Sequence, residues 1–372
     1  MRVLLAASFA ATPTQGGAAW AVLQYALGLE SLGHEVLLVE PAPRTECIRR
    51  CFTSTLDRSG FGGGRALAHG DRSVTGMSWK ELIAWASSCD LLLNLGGALR
   101  DPELLGVVGH RVYVDLDPGF TQLWHVAEGV DMGLDAHHRF VTMGFGVDAV
   151  GSRIPTCGVE WLHSLPPVVL SRWPAVHARP LHGATTVANW RSYGPIRHDG
   201  QFFGQKAHSF RGLIDLPRRV ESRGISLQFE PALAIDAAEV ADLDALSTHG
   251  WRIKDASCVA ASAAQYQRFV QASTLEIGVV KSGYVTSASG WFSDRSACYL
   301  ASARPVVMQD TGWGSVLPSG EGLFAFAGPA EAAERIAEVL GDYTRHSRAA
   351  RELAEANFDA RAVIGRMLER VR

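Results

Sequence analysis

Short apolar runs alternate with amphipathic segments along this sequence, and this alternation constrains the fold more than any other feature. In the first half, the apolar runs lie at residues 3–7, 36–39, 91–95, 112–115 and 140–143. Between them, residues 18–31 and 79–88 carry apolar side chains at helical spacing. Strands that are apolar on both faces and separated by helices are typical of a parallel sheet covered on both sides. The first half is therefore predicted to be an α/β domain.

The second half repeats the pattern, which predicts a second domain of the same class. Predicted strands lie at 185–188, 226–229, 275–280, 305–309 and 323–326, and predicted helices at 206–215, 262–272, 294–302 and 330–340. Four prolines between residues 164 and 180 exclude a regular helix there, and a length of 372 residues suits two domains. We therefore predict a first domain at 1–165, a linker at 166–182, a second domain at 183–341, and C-terminal helices at 342–372 that could pack back on the first domain.

Composition and charge narrow the classes of partner. The formal net charge is −3 and the Lys and Arg residues are scattered, which argues against nucleic acid and favours small molecules. No apolar stretch approaches the roughly 20 residues that span a bilayer, and the first apolar run is too short for a signal peptide. We expect a cytoplasmic protein with no integral membrane association. Cys47 and Cys51 are four residues apart, but no second pair completes a zinc site, so no metal is expected.

A glycine pair follows the first predicted strand, in Gln15-Gly16-Gly17 at the start of a helix. Glycine lets a backbone approach a ligand closely, and a helix N-terminus offers free N–H groups to an anion. The pair forms neither the Gly-x-Gly-x-x-Gly of dinucleotide-binding enzymes nor a phosphate-binding loop with its Lys. The alternative interpretation of Gly16 and Gly17 is a tight turn between strand and helix.

A second loop, at residues 289–293, precedes a predicted helix and has the composition of a phosphate cradle. Ser293 is placed to cap the helix, and Asp294 falls in its first turn. A glycine-containing loop before a helix can surround a diphosphate. The candidate residues of this region, and of the turn after the next strand, are Gly290, Trp291, Phe292, Ser293, Asp294, Asp310, Thr311 and Gly312.

The two segments resemble parts of one known family. The glycine pair followed by Leu32-Gly33-His34-Glu35-Val36 resembles the opening of GT-B glycosyltransferases, and residues 289–312 resemble the donor-binding region of the group-one type. The resemblance implies two Rossmann-like domains that face each other across a cleft. It also implies that the second domain holds a nucleotide sugar, the donor, through the candidate residues at 290–294 and 310–312, and that the first domain holds the acceptor.

The sequence departs from the family pattern at three places. Gly290 and Cys298 stand where the family has its two signature glutamates, and Ala303 replaces the usual glycine before a proline. The resemblance therefore supports the fold and the general donor pocket better than it supports the usual sugar and ribose contacts.

The resemblance further implies a pair of cations on the second domain. The family places an Arg after the first strand of that domain and a Lys at the start of the next helix, and Arg191 and Lys206 match those places in order. Two such cations would neutralise a diphosphate leaving group without a metal, and the nucleotide sugar would be a substrate, with no separate cofactor. The alternative for both residues is ordinary surface charge.

Two residues near the end of a predicted strand are candidates for general acid–base catalysis on the acceptor. Asp117 follows the strand at 112–115 and lies at the carboxyl edge of the first sheet, where α/β proteins bind ligands. It could act as a general base or only form an Asx-turn before Pro118. His125 follows in the same region and is a second candidate.

The sequence thus favours a glycosyltransferase that transfers a sugar from a nucleotide-diphosphate donor to an unidentified small-molecule or glycan acceptor. Two alternatives stay open. A nucleotide-sugar epimerase of the same fold would share the diphosphate site, although it needs several carboxylates around the sugar. A non-catalytic nucleotide-sugar-binding protein would keep the scaffold, and the absent glutamates are compatible with it.

Overall fold

In the computed structural model, which describes residues 1–178 and 180–372, the first half of the chain forms an eight-stranded sheet. Its strands are β1 (Arg2–Ala6), β2 (Glu35–Pro41), β3 (Gly64–Ala68), β4 (Val74–Thr75), β5 (Leu91–Leu95), β6 (Arg111–Asp115), β7 (Arg139–Thr142) and β8 (Trp161–His163). Their order is β4-β3-β2-β1-β5-β6-β7-β8, and all neighbours are parallel except β3 and β4. The central strands β1 and β5 are buried along almost their whole length, as predicted for strands covered on both faces.

The helices of the first half connect these strands. They are α1 (Gly16–Ser31), α2 (Glu46–Ser59), α3 (Trp79–Ser87), α4 (Pro102–Val107) and α5 (Phe120–Val126). Ser78 and Glu81 form a capping box at the start of α3, and the Asp101 carboxylate accepts two backbone hydrogen bonds at the start of α4. These two helices therefore begin where side chains satisfy their first N–H groups.

The second half is also built mainly on parallel strands. They are β9 (His182–Thr185), β10 (Val187–Asn189), β11 (Ile196–His198), β12 (Gln201–Phe203), β13 (Ala232–Ala234), β14 (Lys254–Asp255), β15 (Ser273–Gly278), β16 (Val306–Gln309) and β17 (Leu323–Phe326). The larger sheet has the order β17-β16-β15-β9, and a smaller one has the order β10-β13-β14. Strands β11 and β12 form an antiparallel hairpin beside them.

Two strand predictions in the second half differ from the structure. The predicted strand at 185–188 is divided at Thr186 into β9 and β10, which belong to different sheets. The predicted strand at 226–229 is wrong, because Phe229 makes only isolated bridges and the regular strand is β13. Pro231 lies directly before β13 and has no N–H to donate, so regular pairing begins after it.

The second half has helices on its sheets and at the end of the chain. They are α6 (Lys206–Gly212), α7 (Leu216–Glu221), α8 (Val240–Thr248), α9 (Ala256–Val259), α10 (Ala263–Gln271), α11 (Ser282–Thr286), α12 (Asp294–Ala301), α13 (Pro329–Gly341), α14 (Tyr343–Asn357) and α15 (Ala360–Val371). Asp359 caps α15, since its carboxylate accepts the Ala362 N–H at 3.1 Å. Within the described residues, no helix is both long and apolar enough to cross a membrane.

The two halves are in direct contact and share an apolar core. α15 packs against α1, and Phe292 stacks on Phe358 with ring centroids 5.2 Å apart. Trp20 of α1 donates its indole N–H to the Ala263 carbonyl at 2.8 Å. These contacts bring the start of α1 beside the second half, where the starts of α6 and α12 also lie.

Candidate active site

A cavity of about 310 Å³ lies between the two halves. The start of α1 borders it on one side, and the starts of α6 and α12 border it on the other. Its border includes the predicted residues Gly16, Gly17, Lys206 and Asp294, together with Asn189, Ser257, Tyr266 and Arg295. Residues that are far apart in the sequence thus form one site.

A second cavity, of about 410 Å³, adjoins the first on the side of α2. Its polar border includes Thr12, Glu46, Arg50 and Ser54. Gln15 borders both cavities, and the second-half loop at 260–263 also reaches both. The two cavities are therefore neighbours, one next to the second half and one next to α2.

The glycine pair at the start of α1 lies where the two halves approach each other closely, and the approach requires glycine at Gly16. A Cβ on Gly16 would lie 2.2 Å from the Ser262 carbonyl oxygen, which is backbone and cannot swing away. The Gly16 N–H donates to the Ala260 carbonyl at 2.9 Å. A Cβ on Gly17 would lie 3.1 Å from the Tyr266 ring. The sequence predicted close approach to a ligand here, and in the structure the group that approaches Gly16 is the backbone of the second half.

Lys206 is the first residue of α6, and it borders the cavity. Burial, with Arg295 and Lys281 nearby, lowers its pKa to about 7. A lysine in this state is ready to take up a proton when an anion binds beside it. The chemistry of the position therefore suits a phosphate group.

The start of α12 places Ser293 and Asp294 as the sequence predicts, but Ser293 does not cap the helix. Its hydroxyl is buried and, over the described part of the chain, has no hydrogen-bond partner. Burial raises the pKa of the Asp294 carboxyl, whereas Arg295 and Lys206 act to lower it. Asp294 borders the cavity, where it could accept hydrogen bonds from a ligand.

Arg295 is a cation of the site that the sequence interpretation missed. Its guanidinium is buried, with its Nε 2.5 Å from Glu276 Oε1 and its Nη1 donating to the Val187 carbonyl at 3.0 Å. The sequence carried one signal for it, because an Arg in the first turn of a helix opposes the helix dipole and needs another reason to be there.

Arg191 lies apart from this cavity. Its guanidinium pairs with Glu239 at 2.5 Å and is 41% exposed. It borders a separate depression together with Trp190 and Asp255. The predicted pair of Arg191 with Lys206 is therefore not brought into one cavity.

The predicted cradle at 290–292 packs into the protein. Gly290 has φ +67°, and a Cβ there would lie 2.7 Å from the Gly146 nitrogen of the first half. Trp291 stacks on Tyr284 at 4.4 Å, and the Phe292 ring is in the common core. These residues attach the loop to the first half, so their predicted contact with a donor stays untested.

The turn at 310–312 supports the same loop. The Gly290 N–H donates to the Thr311 carbonyl at 2.7 Å, and the Thr311 hydroxyl donates to the Trp291 carbonyl at 2.6 Å. Asp310 is exposed and accepts the Gly312 N–H at 2.7 Å. The turn holds the loop in place from the side of β16.

Asp117 joins the first half to the second. Its Oδ2 is 2.6 Å from the Lys281 Nζ and accepts the Tyr193 hydroxyl at 2.6 Å, while Oδ1 accepts the Tyr284 hydroxyl. The Lys281 ammonium also lies 4.9 Å from the centre of the Phe120 ring. Burial lowers the pKa of Lys281, and Asp117 opposes that change. The carboxylate proposed as a base is thus held by three donors from the second half.

The Asx-turn considered for Asp117 is made by Asp115. The buried Asp115 carboxylate accepts the Asp117 N–H at 2.9 Å and the side chains of Thr121, Gln122 and Thr142. Both carboxylates therefore face donors of the protein itself.

In residues 1–178 and 180–372, no three His, Cys, Asp or Glu side chains are grouped to hold a metal ion.

His125 lies in the last turn of α5, half-buried, with its Nδ1 3.3 Å from the Val130 carbonyl oxygen. This contact ties the end of the helix to the loop that follows it. The structure does not bring His125 to the border of either cavity among the described residues.

Solved structures match this chain over its whole length, although no family model and no curated protein matches its sequence. An α-glucosyltransferase solved with UDP and a 13-mer DNA has a TM-score of 0.60 at 11% identity, over 100% of this chain and 99% of that one. HepE from Anabaena, solved with UDP-glucose, has a TM-score of 0.61 at 13% identity, over 100% and 99%. AviGT4, a glycosyltransferase involved in avilamycin A biosynthesis, has a TM-score of 0.59 at 14% identity, over 100% and 97%. The chain has the GT-B fold.

At one departure from the family pattern, the backbone keeps the conformation that the usual glycine would adopt. Ala303, between α12 and β16, has φ +58°, in the left-handed region that favours glycine. This is the place where the resemblance expects a glycine, so the backbone path is kept although the residue is not. At 11–14% identity the likeness establishes the fold, and the roles of individual residues have to come from the geometry of the cavity.

Proposed function

We propose that this chain is a glycosyltransferase that transfers a sugar from a nucleotide-diphosphate donor to a small-molecule or glycan acceptor, without a metal ion. The observation that carries the proposal is the cavity between the two halves, where Lys206 and the glycine pair border one space. A site between two domains keeps water away from an activated sugar. The full-length likeness to glycosyltransferases solved with UDP and with UDP-glucose supports the same class of reaction.

The donor is assigned to the cavity bordered by Lys206 and Asp294. Lys206 supplies positive charge to the diphosphate leaving group, because an anion beside it favours its protonated form. The Asp294 carboxylate accepts hydrogen bonds from the ribose hydroxyls. Cys298 cannot fill that role, since it is buried and its thiol faces the Gln24 amide at 3.7 Å.

The acceptor is assigned to the neighbouring cavity beside α2. Glu46 and Arg50 are exposed charged groups 3.7 Å apart, and the hydroxyls of Thr12 and Ser54 border the same space. Such a border suits an acceptor with several hydroxyl groups. Asp117 and His125 stay predictions as acid–base residues.

The proposal is tested by incubating the protein with a panel of nucleotide sugars and following the nucleotide by chromatography. We expect one donor to release nucleoside diphosphate slowly alone and faster when a hydroxylated acceptor is added. An altered sugar that stays on its nucleotide would instead identify an epimerase. Binding of nucleoside diphosphates without turnover of any donor would identify a non-catalytic binding protein.

A further inference from the structure

We infer that Arg295, held by Glu276, is the second cation of the donor diphosphate site, in the role that the family pattern gives to Arg191. The inference rests on the proposed function, because it concerns the phosphates of the proposed donor. It adds a binding residue and names the group that positions it.

The environment of Arg295 is that of a functional cation. Its side chain is 7% exposed and the Glu276 side chain is fully buried, so both charges are withdrawn from water. Burying an ion pair costs desolvation energy that a stable fold does not need, so a pair at this depth calls for a use.

The pair is incompletely satisfied in a way that points to a ligand. The Nε and Nη1 of Arg295 have acceptors in Glu276 and Val187, but within the described residues the Arg295 Nη2 and the Glu276 Oε2 have no hydrogen-bond partner. Buried polar groups almost always have hydrogen-bond partners. Arg295 borders the cavity, so a ligand oxygen that entered there could become the missing acceptor.

The chemistry of the border identifies that ligand as a phosphate. Lys206 borders the same cavity, so two cations of different geometry lie around one space. The planar guanidinium matches phosphate oxygens in pairs, whereas the lysine ammonium acts as a point charge. Arg191, by contrast, is already satisfied by Glu239 at 2.5 Å.

Calorimetric titration with UDP, GDP, ADP and TDP identifies the nucleoside diphosphate that the unaltered chain binds most tightly. The affinity for the monophosphate of the same nucleoside is then measured for comparison. The test variant is Arg295→Met combined with Glu276→Met, because removing both charges leaves no unpaired buried ion. We expect it to bind the diphosphate roughly ten- to a hundredfold more weakly and to lose less affinity for the monophosphate. The control Arg191→Met should bind both with unchanged affinity.

The outcomes separate the two proposals. Glu276→Gln keeps the size of the side chain but removes its charge. It should weaken diphosphate binding less than the double variant does. If the unaltered chain binds a diphosphate and the double variant binds it equally well, Arg295 is not its ligand and only this inference is overturned. If the unaltered chain binds none of the four nucleotides, the proposed function and this inference are overturned together.

Discussion

Replacing Lys281 with Met should weaken the contact between the two halves. Lys281 and Asp117 are 164 positions apart in the chain and 2.6 Å apart in space, with side chains that are 11% and 24% exposed. Met keeps most of the aliphatic length of the lysine and removes its charge. The Asp117 carboxylate would then retain the Tyr193 and Tyr284 hydroxyls as donors.

The magnitude follows from this intermediate burial. Removing one partner of a fully buried pair costs about 3–5 kcal/mol, whereas an exposed pair contributes about 0–1 kcal/mol. Because Asp117 is partly exposed and keeps two donors, we expect Lys281→Met to lower the free energy of unfolding by about 2–3 kcal/mol. Asp117→Asn keeps an oxygen that accepts hydrogen bonds but removes the counter-charge of Lys281, so we expect a cost of similar size.

Urea unfolding followed by tryptophan fluorescence measures the effect, and the double variant completes a thermodynamic cycle. The coupling energy between the two positions should be about 1–2 kcal/mol, in the range of residues that are in contact. The exposed pair of Arg223 with Glu334, at 3.1 Å, serves as a control and should show coupling within about 0.5 kcal/mol. If the Asp117–Lys281 cycle gives no more coupling than this control, the reasoning that the pair ties the two halves together is wrong.

The other predictions concern the cavity and its border. Lys206→Ala should weaken nucleoside-diphosphate binding roughly ten- to a hundredfold in calorimetry, and unchanged affinity would remove Lys206 from the site. Because the pKa of Lys206 is about 7 in the free protein and the anion binds its protonated form, affinity should fall as the pH rises from 7 to 9, but not in Lys206→Arg. Transfer activity should persist in excess chelator, and strict dependence on added magnesium or manganese would contradict the proposed mechanism. Asp294→Asn should lower nucleotide affinity with a nearly unchanged melting temperature; equal affinity would show that Asp294 does not contact the ribose. Gly16→Ala should destabilise the fold by about 1–3 kcal/mol in urea, because its Cβ would overlap the Ser262 backbone, whereas Gly365→Ala, in open space on α15, should be neutral or stabilising.

Sequence patterns were sufficient for the fold class. The apolar runs of β1, β5, β15 and β16 lie where they are predicted, since a strand buried on both faces must be apolar along its whole length. The structural comparisons confirm the two-domain α/β architecture. The predicted strand at 226–229 is wrong because an apolar pattern alone does not show that regular pairing begins only after Pro231.

Local sequence also located part of the candidate site. Gly16, Lys206 and Asp294 begin helices, and the start of a helix can be identified from a few neighbouring residues. The structure gathers all three at one cavity. That they meet there depends on how the two halves pack, and no local pattern contains that information.

The direction of charged side chains was decided by tertiary structure alone. Arg191 and Arg295 are equally polar in the sequence, yet one reaches the surface beside Glu239 and the other is enclosed beside Glu276. Likewise, Asp117 meets Lys281 only because the two halves fold against each other. Hydrophobic periodicity indicates which side chains are buried, and strands and helices can therefore be predicted from it. The partner of a charge depends on contacts between distant segments, which exist only after the chain has folded.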